Sequence, residues 1–357
     1  MEAKGRVAQL RSSVPASRFI GIDAGAESLK LVELLQVDNE LRIGRREIVS
    51  HGKKPGPALV ETLRRWDWDR VDGACVTGRF AGQFRLPHVP TKQAQLRGYR
   101  HSFGNAPATI IDIGNHGFSV LELRDSGLTV FRENSRCSQG TGNFLCQLVE
   151  RFSLTVGEAS ALCADVTDPA PLSGRCPVIL KTDMTHLANR GEDRARILAG
   201  LFDAVCENVF VLIKPGVSPD RVLLTGGVSR SPRIRRSFVE FLARHQMNLL
   251  TFPEEESLCL DAFGAALVAA EIPDAPPGLD DLLLPPHELK LERLPCLRDA
   301  LARVNRMPAR PWGEVNGQVR AVIIGLDIGS TGSKLVALDV ATQEVLHEAY
   351  RQTLGDP

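Results

Sequence analysis

Residues 20–34 read IGIDAGAESLKLVEL, and residues 324–338 read IGLDIGSTGSKLVAL. Each is an apolar run ending in Asp-x-Gly, then a short polar turn, then a lysine that opens a second apolar run. The spacing predicts two strands joined by a tight hairpin, with Asp23 or Asp327 ending one strand and Lys30 or Lys334 opening the next. A strand-end carboxylate, turn amides and hydroxyls are the parts that hold a Mg²⁺–phosphate group. The same pattern suits an ordinary hairpin, and the stretch alone leaves both readings open.

Working outward, LRIGRREIVS continues the first copy as a third strand, a helix follows over 55–66 with proline at its start, and VDGACVTG reads as a buried strand ending in a glycine turn. The order then recurs. ATIIDIG, FSVLELRD and LTVFREN read as three strands, a helical block spans 140–215, and DRVLLTGG is again a strand ending in glycines. A basic amphipathic helix (PRIRRSFVEFLARH) follows, then an alanine-rich helix over 260–270 whose small face suits close packing on a sheet. The second set carries its own strand-end Asp-x-Gly, Asp112 to Gly114, in IIDIGNHG. In LLTGGVSRS the paired glycines let backbone lie close against a flat ligand such as adenosine. There is no G-K-[ST] and no G-x-G-x-x-G after a strand, which argues against P-loop and dinucleotide folds.

Two Asp-x-Gly hairpins with a Thr-Gly-Gly-Val turn resemble the actin, sugar-kinase and 70-kDa heat-shock ATPase superfamily over residues 18–270. The resemblance implies an α/β fold of duplicated ribonuclease-H-like (actin-like ATPase) subdomains around a nucleotide cleft. Carried onto this sequence, it implies Asp23 and Asp112 as catalytic carboxylates. ATP or ADP with Mg²⁺ would be held by Asp23, Gly25, Glu27, Ser28, Lys30, Asp112, Gly114, Asn115, Thr225, Gly226, Gly227 and Val228. In the late copy the matching residues are Asp327, Gly329, Ser330, Thr331 and Lys334. No sugar-binding carboxylate loop stands between the hairpins, so a sugar-kinase reading lacks support.

The expected organisation is a polar tail (1–17), subdomain I (18–105), subdomain II with loop cysteines (106–270), a proline-rich linker (271–320) and the truncated start of a second actin-like unit (321–357). With 43 basic against 43 acidic residues the chain has no electrostatic footprint for nucleic acid or an anionic membrane. The first residues lack the apolar core of a signal peptide, and no run approaches the ~18 apolar residues of a membrane span. A cytoplasmic protein is expected.

Eight cysteines include no C-x-x-C pair. Cys75, Cys163, Cys206 and Cys259 fall in apolar runs and read as core thiols. Cys137 (NSRCSQGTGNFL) and Cys176 (SGRCPV) instead lie in polar loops ahead of helices, where thiolates are favoured. Two thiolates fall short of the four that a [4Fe-4S] cluster usually takes, unless a two-fold axis supplies two from each chain; two ordinary surface thiols is the other reading.

These loops, with VTGR (76–79), IIDIG and LLTGGVSRSPRI, resemble the BadF/BadG/BcrA/BcrD ATPases, activators of 2-hydroxyacyl-CoA dehydratases and benzoyl-CoA reductases. That resemblance implies an oxygen-sensitive homodimer with one [4Fe-4S] cluster held by Cys137 and Cys176 of both chains. It implies a ferredoxin or flavodoxin as electron source and a dehydratase or reductase as recipient, with ATP hydrolysis driving low-potential electron transfer. The family usually reads D-I-G-S-T-x-x-K and D-I-G-G-Q-D in its two phosphate loops. Here the first has Ala26 and Glu27 and the second Asn115, His116 and Gly117, so two hydroxyls are lost and a carboxylate gained where anionic oxygens belong. Glu27 reads either as a water-orienting group or as degeneration, and His116 as a phosphate ligand, a general base or a solvated loop residue. With the late copy intact, the alternative to a working activator is a pseudo-ATPase scaffold inside a tandem protein.

Overall fold

The computed structural model describes residues 17–38, 40–133, 141–173, 176–272, 274–285, 297–305, 319–329 and 332–352. Cys137, Ser330 and Thr331 lie outside the described residues. The chain divides into two compact units, residues 1–287 and 288–357.

The first unit holds two mixed sheets built on one plan. Strand β1 (Ser17–Ala24) pairs antiparallel with β2 (Ser28–Val37), β2 antiparallel with β3 (Glu40–Ser50), and β1 parallel with β4 (Gly73–Thr77). In the second sheet β5 (Ala108–Ile113), β6 (Phe118–Leu123) and β7 (Thr129–Glu133) form the antiparallel meander, and β8 (Arg221–Thr225) lies parallel to β5. The orders are β3-β2-β1-β4 and β7-β6-β5-β8-β9, the two-residue β9 (Asn248–Leu249) having no counterpart in the first sheet. These are the duplicated ribonuclease-H-like subdomains that the sequence motifs imply.

Helix α1 (Pro55–Arg64) lies within the first set, and α2 (Thr91–Phe103) leads from the first sheet to the second. The expected helical block resolves into α3 (Thr141–Glu150), α4 (Val156–Leu162), α5 (Pro177–Asn189) and α6 (Arg194–Phe210). After β8 come α7 (Pro232–Arg244), the single-turn α8 (Glu254–Leu258) and α9 (Leu260–Glu271). Proline stands in the first turn of α1, α5 and α7, where the missing N–H costs nothing. A capping box of Thr155 and Glu158 opens α4.

The two-residue period of the strands decides which face each side chain serves. Ile20, Ile22, Leu29 and Leu31 are fully buried with Leu59 and Leu63 of α1, each such burial stabilising by about 1.5–3 kcal/mol. Phe19, Val32 and Leu34 point the other way, onto Ala262, Ala265 and Ala266 of α9. In the second sheet Ile111 and Ile113 join the core of α3 to α7, while Ala108 and Ile110 meet Tyr99 of α2 and Leu260 of α9. The pair α2 and α9 therefore packs on the inward faces of both sheets. By the same alternation Asp23, Lys30 and Asp112 stand on those inward faces.

That packing leaves no room for side chains at three glycines. A Cβ on Gly21 would lie 1.9 Å from the carbonyl oxygen of Ala262, one on Gly264 1.8 Å from that of Ala94, and one on Gly98 2.8 Å from that of Leu260. Residues 279–284 also pack on this unit: Leu282 is buried beside Leu59, and the Leu284 amide donates to the Gln83 carbonyl at 2.9 Å.

In the second unit β10 (Val322–Ile328), β11 (Gly332–Asp339) and β12 (Val345–Gln352) form an antiparallel sheet in that order. Asp327 faces Lys334 as Asp23 faces Lys30. Among the described residues no helix is long and apolar enough to cross a membrane.

Candidate functional site

The two sheets each place an aspartate opposite a Thr-Gly pair, while Lys30, which faces Asp23, has Ser119 as its counterpart facing Asp112. Asp23 ends β1, opposite Lys30 on β2 and Thr77 on the parallel strand β4. Asp112 ends β5, opposite Thr225 on the parallel strand β8. Each threonine precedes a glycine with a left-handed backbone, Gly78 at φ +93° and Gly226 at φ +85°. A Cβ would come within 2.4 Å of Asp23 Oδ1 at Gly78 and within 2.6 Å of Asp112 Oδ1 at Gly226. Glycine is required at both places by conformation and by contact. The Thr77 and Gly78 half of this repeat was not among the predicted site residues, although VTG at 76–78 against LTG at 224–226 carried the signal.

Lys30 Nζ donates to Asp23 Oδ2 at 2.7 Å, with side chains 17% and 6% exposed. Burial opposes the Lys30 charge, but Asp23, Asp261 and Asp112 outweigh it and hold the ammonium well above its ordinary range. Burial raises the Asp112 carboxyl, as does the charge of Asp23, against Lys30 and a 3.3 Å hydrogen bond donated by Thr225 Oγ1. Asp261, at the start of α9, is raised well above the usual carboxylate range by burial and by Asp112 and Asp23, against Lys30 and Gln95 of α2. Sequence reasoning missed Asp261 and Gln95, because an Asp in an alanine-rich helix carries no motif.

Three carboxyl groups around one lysine leave an excess of negative charge in a sheltered place, which suits a divalent cation held partly through water. Among the described residues no group of three His, Cys, Asp or Glu side chains is arranged to ligate a metal directly. A raised carboxyl stabilises the fold while protonated, below the ordinary Asp range, and that share is lost as pH rises through its raised value. Asp261→Asn is therefore expected to raise the thermal midpoint at pH 8 by about 2–4 °C and to change it little near pH 4, read by circular dichroism. A lower midpoint at pH 8 would contradict this account of Asp261.

The hairpin turns are closed by backbone bonds, Gly25 N to Ser28 O at 3.1 Å and Gly114 N to Gly117 O at 2.8 Å. The second turn is also joined to α3: Gly142 N donates to Gly114 O at 3.3 Å and Asn143 N to Asn115 O at 3.0 Å. A Cβ on Gly142 would meet Asn115 Oδ1 at 2.6 Å and Val228 Cγ2 at 3.0 Å, so the start of α3 is set between the second hairpin and the Gly-Gly-Val turn. The paired glycines of that turn differ, for Gly226 is confined while the missing Cβ of Gly227 faces open space. Glu27 reaches across from the first hairpin and accepts from Asn115 Nδ2 at 2.9 Å and from Lys53 Nζ. The ring of His116 is partly buried, and burial, Arg79 and Lys53 together lower its pKa. Lys53 and Arg79 were not anticipated as part of this region.

Cys176 stands partly buried at the position before Pro177, the first residue of α5, with its thiol free of a capping bond. Its expected partner Cys137 lies outside the described residues, in the segment leading into α3. Cys75, Cys163, Cys206 and Cys259 are buried, and burial pushes the first, second and last up to about 11 and Cys206 higher still. Such thiols are poor ligands at neutral pH. In the second unit Lys334 Nζ donates to Asp327 Oδ2 at 2.9 Å and Gly329 N to Gly332 O at 3.1 Å, repeating the first hairpin in the open.

The family model of the BadF/BadG/BcrA/BcrD ATPase family matches residues 20–269. The chain is 30% identical over 258 residues to the activator of lactoyl-CoA dehydratase of Anaerotignum propionicum, covering 71% of this chain and 97% of that one. It is 26% identical over 257 residues to the (R)-2-hydroxyglutaryl-CoA dehydratase activating ATPase of Acidaminococcus fermentans, covering 70% and 96%. Among solved structures, the activator of the 2-hydroxyisocaproyl-CoA dehydratase from Clostridium difficile with bound ADPNP superimposes with a TM-score of 0.58 at 22% identity, over 82% of this chain and all of that one. That likeness establishes the fold.

Proposed function

The chain belongs to the BadF/BadG/BcrA/BcrD ATPase family, and from that premise we propose that it is an ATP-dependent activator of an acyl-CoA dehydratase or benzoyl-CoA reductase. In this reading it passes one electron to the partner enzyme while ATP and water become ADP and phosphate. The observation that carries the proposal is the direct bonding of the second hairpin to α3, Gly142 to Gly114 and Asn143 to Asn115. A change at the phosphate loop then moves the helix that follows the Cys137 loop, with no further machinery between them.

In the proposed site Asp23 and Asp112 would hold Mg²⁺, which when bound would neutralise phosphate charge, Lys30 keeps the excess charge of the carboxylates in check, and the Gly25 and Gly114 turns would face the phosphates. Thr225 to Val228 bound the place of the adenosine. Cys137 and Cys176 of two chains would hold a [4Fe-4S] cluster, which when bound supplies a one-electron carrier fed by a ferredoxin or flavodoxin. The partly buried Cys176 thiol at the head of α5 suits a cluster ligand, since it is in no disulfide and makes no capping bond. We place a homodimer in the cytoplasm, and read residues 321–357 as the opening of a second ATPase unit.

Anaerobic purification with iron and sulfide analysis tests the cluster. About four irons per two chains are expected, lost in Cys176→Ser and in Cys137→Ser, with the thermal melt of the first unit unchanged. A colourless monomer under those conditions sinks the cluster. A second reading, a scaffold that no longer turns over ATP, is favoured by Glu27, which brings a carboxylate into the space between the hairpins. Steady-state ATP turnover of the full chain decides between them: measurable hydrolysis that needs Asp112 removes the scaffold reading.

A further inference from the structure

The contacts of Glu27 point to a role beyond degeneration. Its carboxylate lies between the two hairpins, where one oxygen accepts from Asn115 Nδ2 of the second hairpin at 2.9 Å and from Lys53 Nζ. The Asn115 bond is partly buried, whereas the Lys53 pair is exposed, the two side chains at 64% and 40%. Asn115 is fixed by Asn143 of α3, which donates to its carbonyl, and by the close approach of Gly142 to its side chain. Lys53 sits in a turn whose backbone is left-handed at two successive residues, Gly52 at φ +50° and Lys53 at φ +67°. That conformation is unfavourable for a lysine. The same turn is tied to the first hairpin, His51 N donating to Glu27 O at 3.2 Å and His51 Nε2 lying 3.1 Å from Gly25 O. His51 is 5% exposed and its Nδ1 has no hydrogen-bond partner among the described residues. Arg79 and His116 stand near enough to interact electrostatically with each other, as do Lys53 and His116. Ammonium and amide donors brought together between two turns are what recognises an anion, and the anion they hold is the chain's own carboxylate, with Lys53 and Arg79 both near His116.

We infer that Glu27 is a built-in competitor for a nucleotide phosphate: it occupies Asn115 and Lys53, bridges the two hairpins, and disfavours a nucleoside triphosphate more than a diphosphate. This rests on the nucleotide reading above and adds to it a determinant of which nucleotide is held. A triphosphate carries more charge than a diphosphate and reaches further from the base, so it meets the carboxylate more strongly. Displacing Glu27 frees Asn115, whose backbone carbonyl receives the start of α3, so the exchange of one anion for another acts at the root of that helix.

Titration calorimetry of the full chain with Mg²⁺–ADPNP and with Mg²⁺–ADP, for the natural sequence, Glu27→Ser and Glu27→Gln, tests it. Glu27→Ser is expected to tighten ADPNP by about tenfold or more while ADP changes by less than about threefold, the scale of one charge-assisted hydrogen bond released. Glu27→Gln, which keeps the length and an amide oxygen for Asn115 but loses the charge, is expected to recover most of the gain. Equal affinities in all three forms, with the natural chain binding both nucleotides, overturn the competitor and leave the ATPase reading standing. Weaker ADPNP binding by Glu27→Ser also overturns it, since Glu27 would then be a ligand of the nucleotide complex. No binding by any form overturns the nucleotide reading and this inference together.

Discussion

Gly264→Ala is expected to cost the first unit about 3 kcal/mol, lowering its thermal midpoint by roughly 6–12 °C, although the change adds a single methyl group. The added Cβ would stand 1.8 Å from the Ala94 carbonyl oxygen and 2.5 Å from its carbon, backbone atoms of α2 that no rotamer can move aside. Relief requires α2 and α9 to separate. These two helices pack on the inward faces of both sheets, so their separation disturbs the faces that carry Lys30 and Asp112 as well. Gly82 provides the control, since a Cβ there meets no heavy atom within 4 Å. Gly82→Ala should melt within about 1 °C of the natural chain. A Gly264→Ala protein melting with the natural one would show that the helices do not cross as closely as described.

That crossing illustrates what was legible in the sequence and what was not. The hairpins were legible because a two-residue period, a strand-end aspartate and a glycine turn are local, and their register follows from them; Asp23 opposite Lys30 and Asp112 at the end of β5 were readable residue by residue. The face that α9 presents to β1 was legible as a run of alanines. Its crossing with α2 was not, because Ala94 and Gly264 are 170 residues apart and neither carries a chemical group that announces a partner. The same limit hid Asp261, whose significance arises when folding sets it near Asp23 and Asp112, and Lys53, whose approach to Glu27 depends on a left-handed turn. The repeat of Thr-Gly after β4 and β8 was visible as text. Its meaning needed the parallel pairing that sets each threonine opposite an aspartate.

Asp112→Asn is expected to separate stability from activity in opposite directions. At neutral pH the Asp112 carboxyl is held above its ordinary range by burial and by Asp23, partly offset by Lys30 and Thr225. Its stabilising share is present while it is protonated and lost as pH rises through the raised value, so above that value its charge is a cost to the fold. Asparagine removes the cost, keeps the volume and keeps an oxygen to accept from Thr225. The midpoint should rise by about 2–4 °C at pH 8 and shift little near pH 4. ATP turnover should fall by about 10²- to 10³-fold, because the proposed Mg²⁺–phosphate seat loses one of the two carboxylates that would hold the cation. A carboxylate with no part in the chemistry behaves otherwise: removing it would leave turnover in place. A stabilised, inactive protein is thus the signature of a charge retained for chemistry at the expense of the fold, and an Asp112→Asn chain that is less stable yet equally active would remove Asp112 from the site.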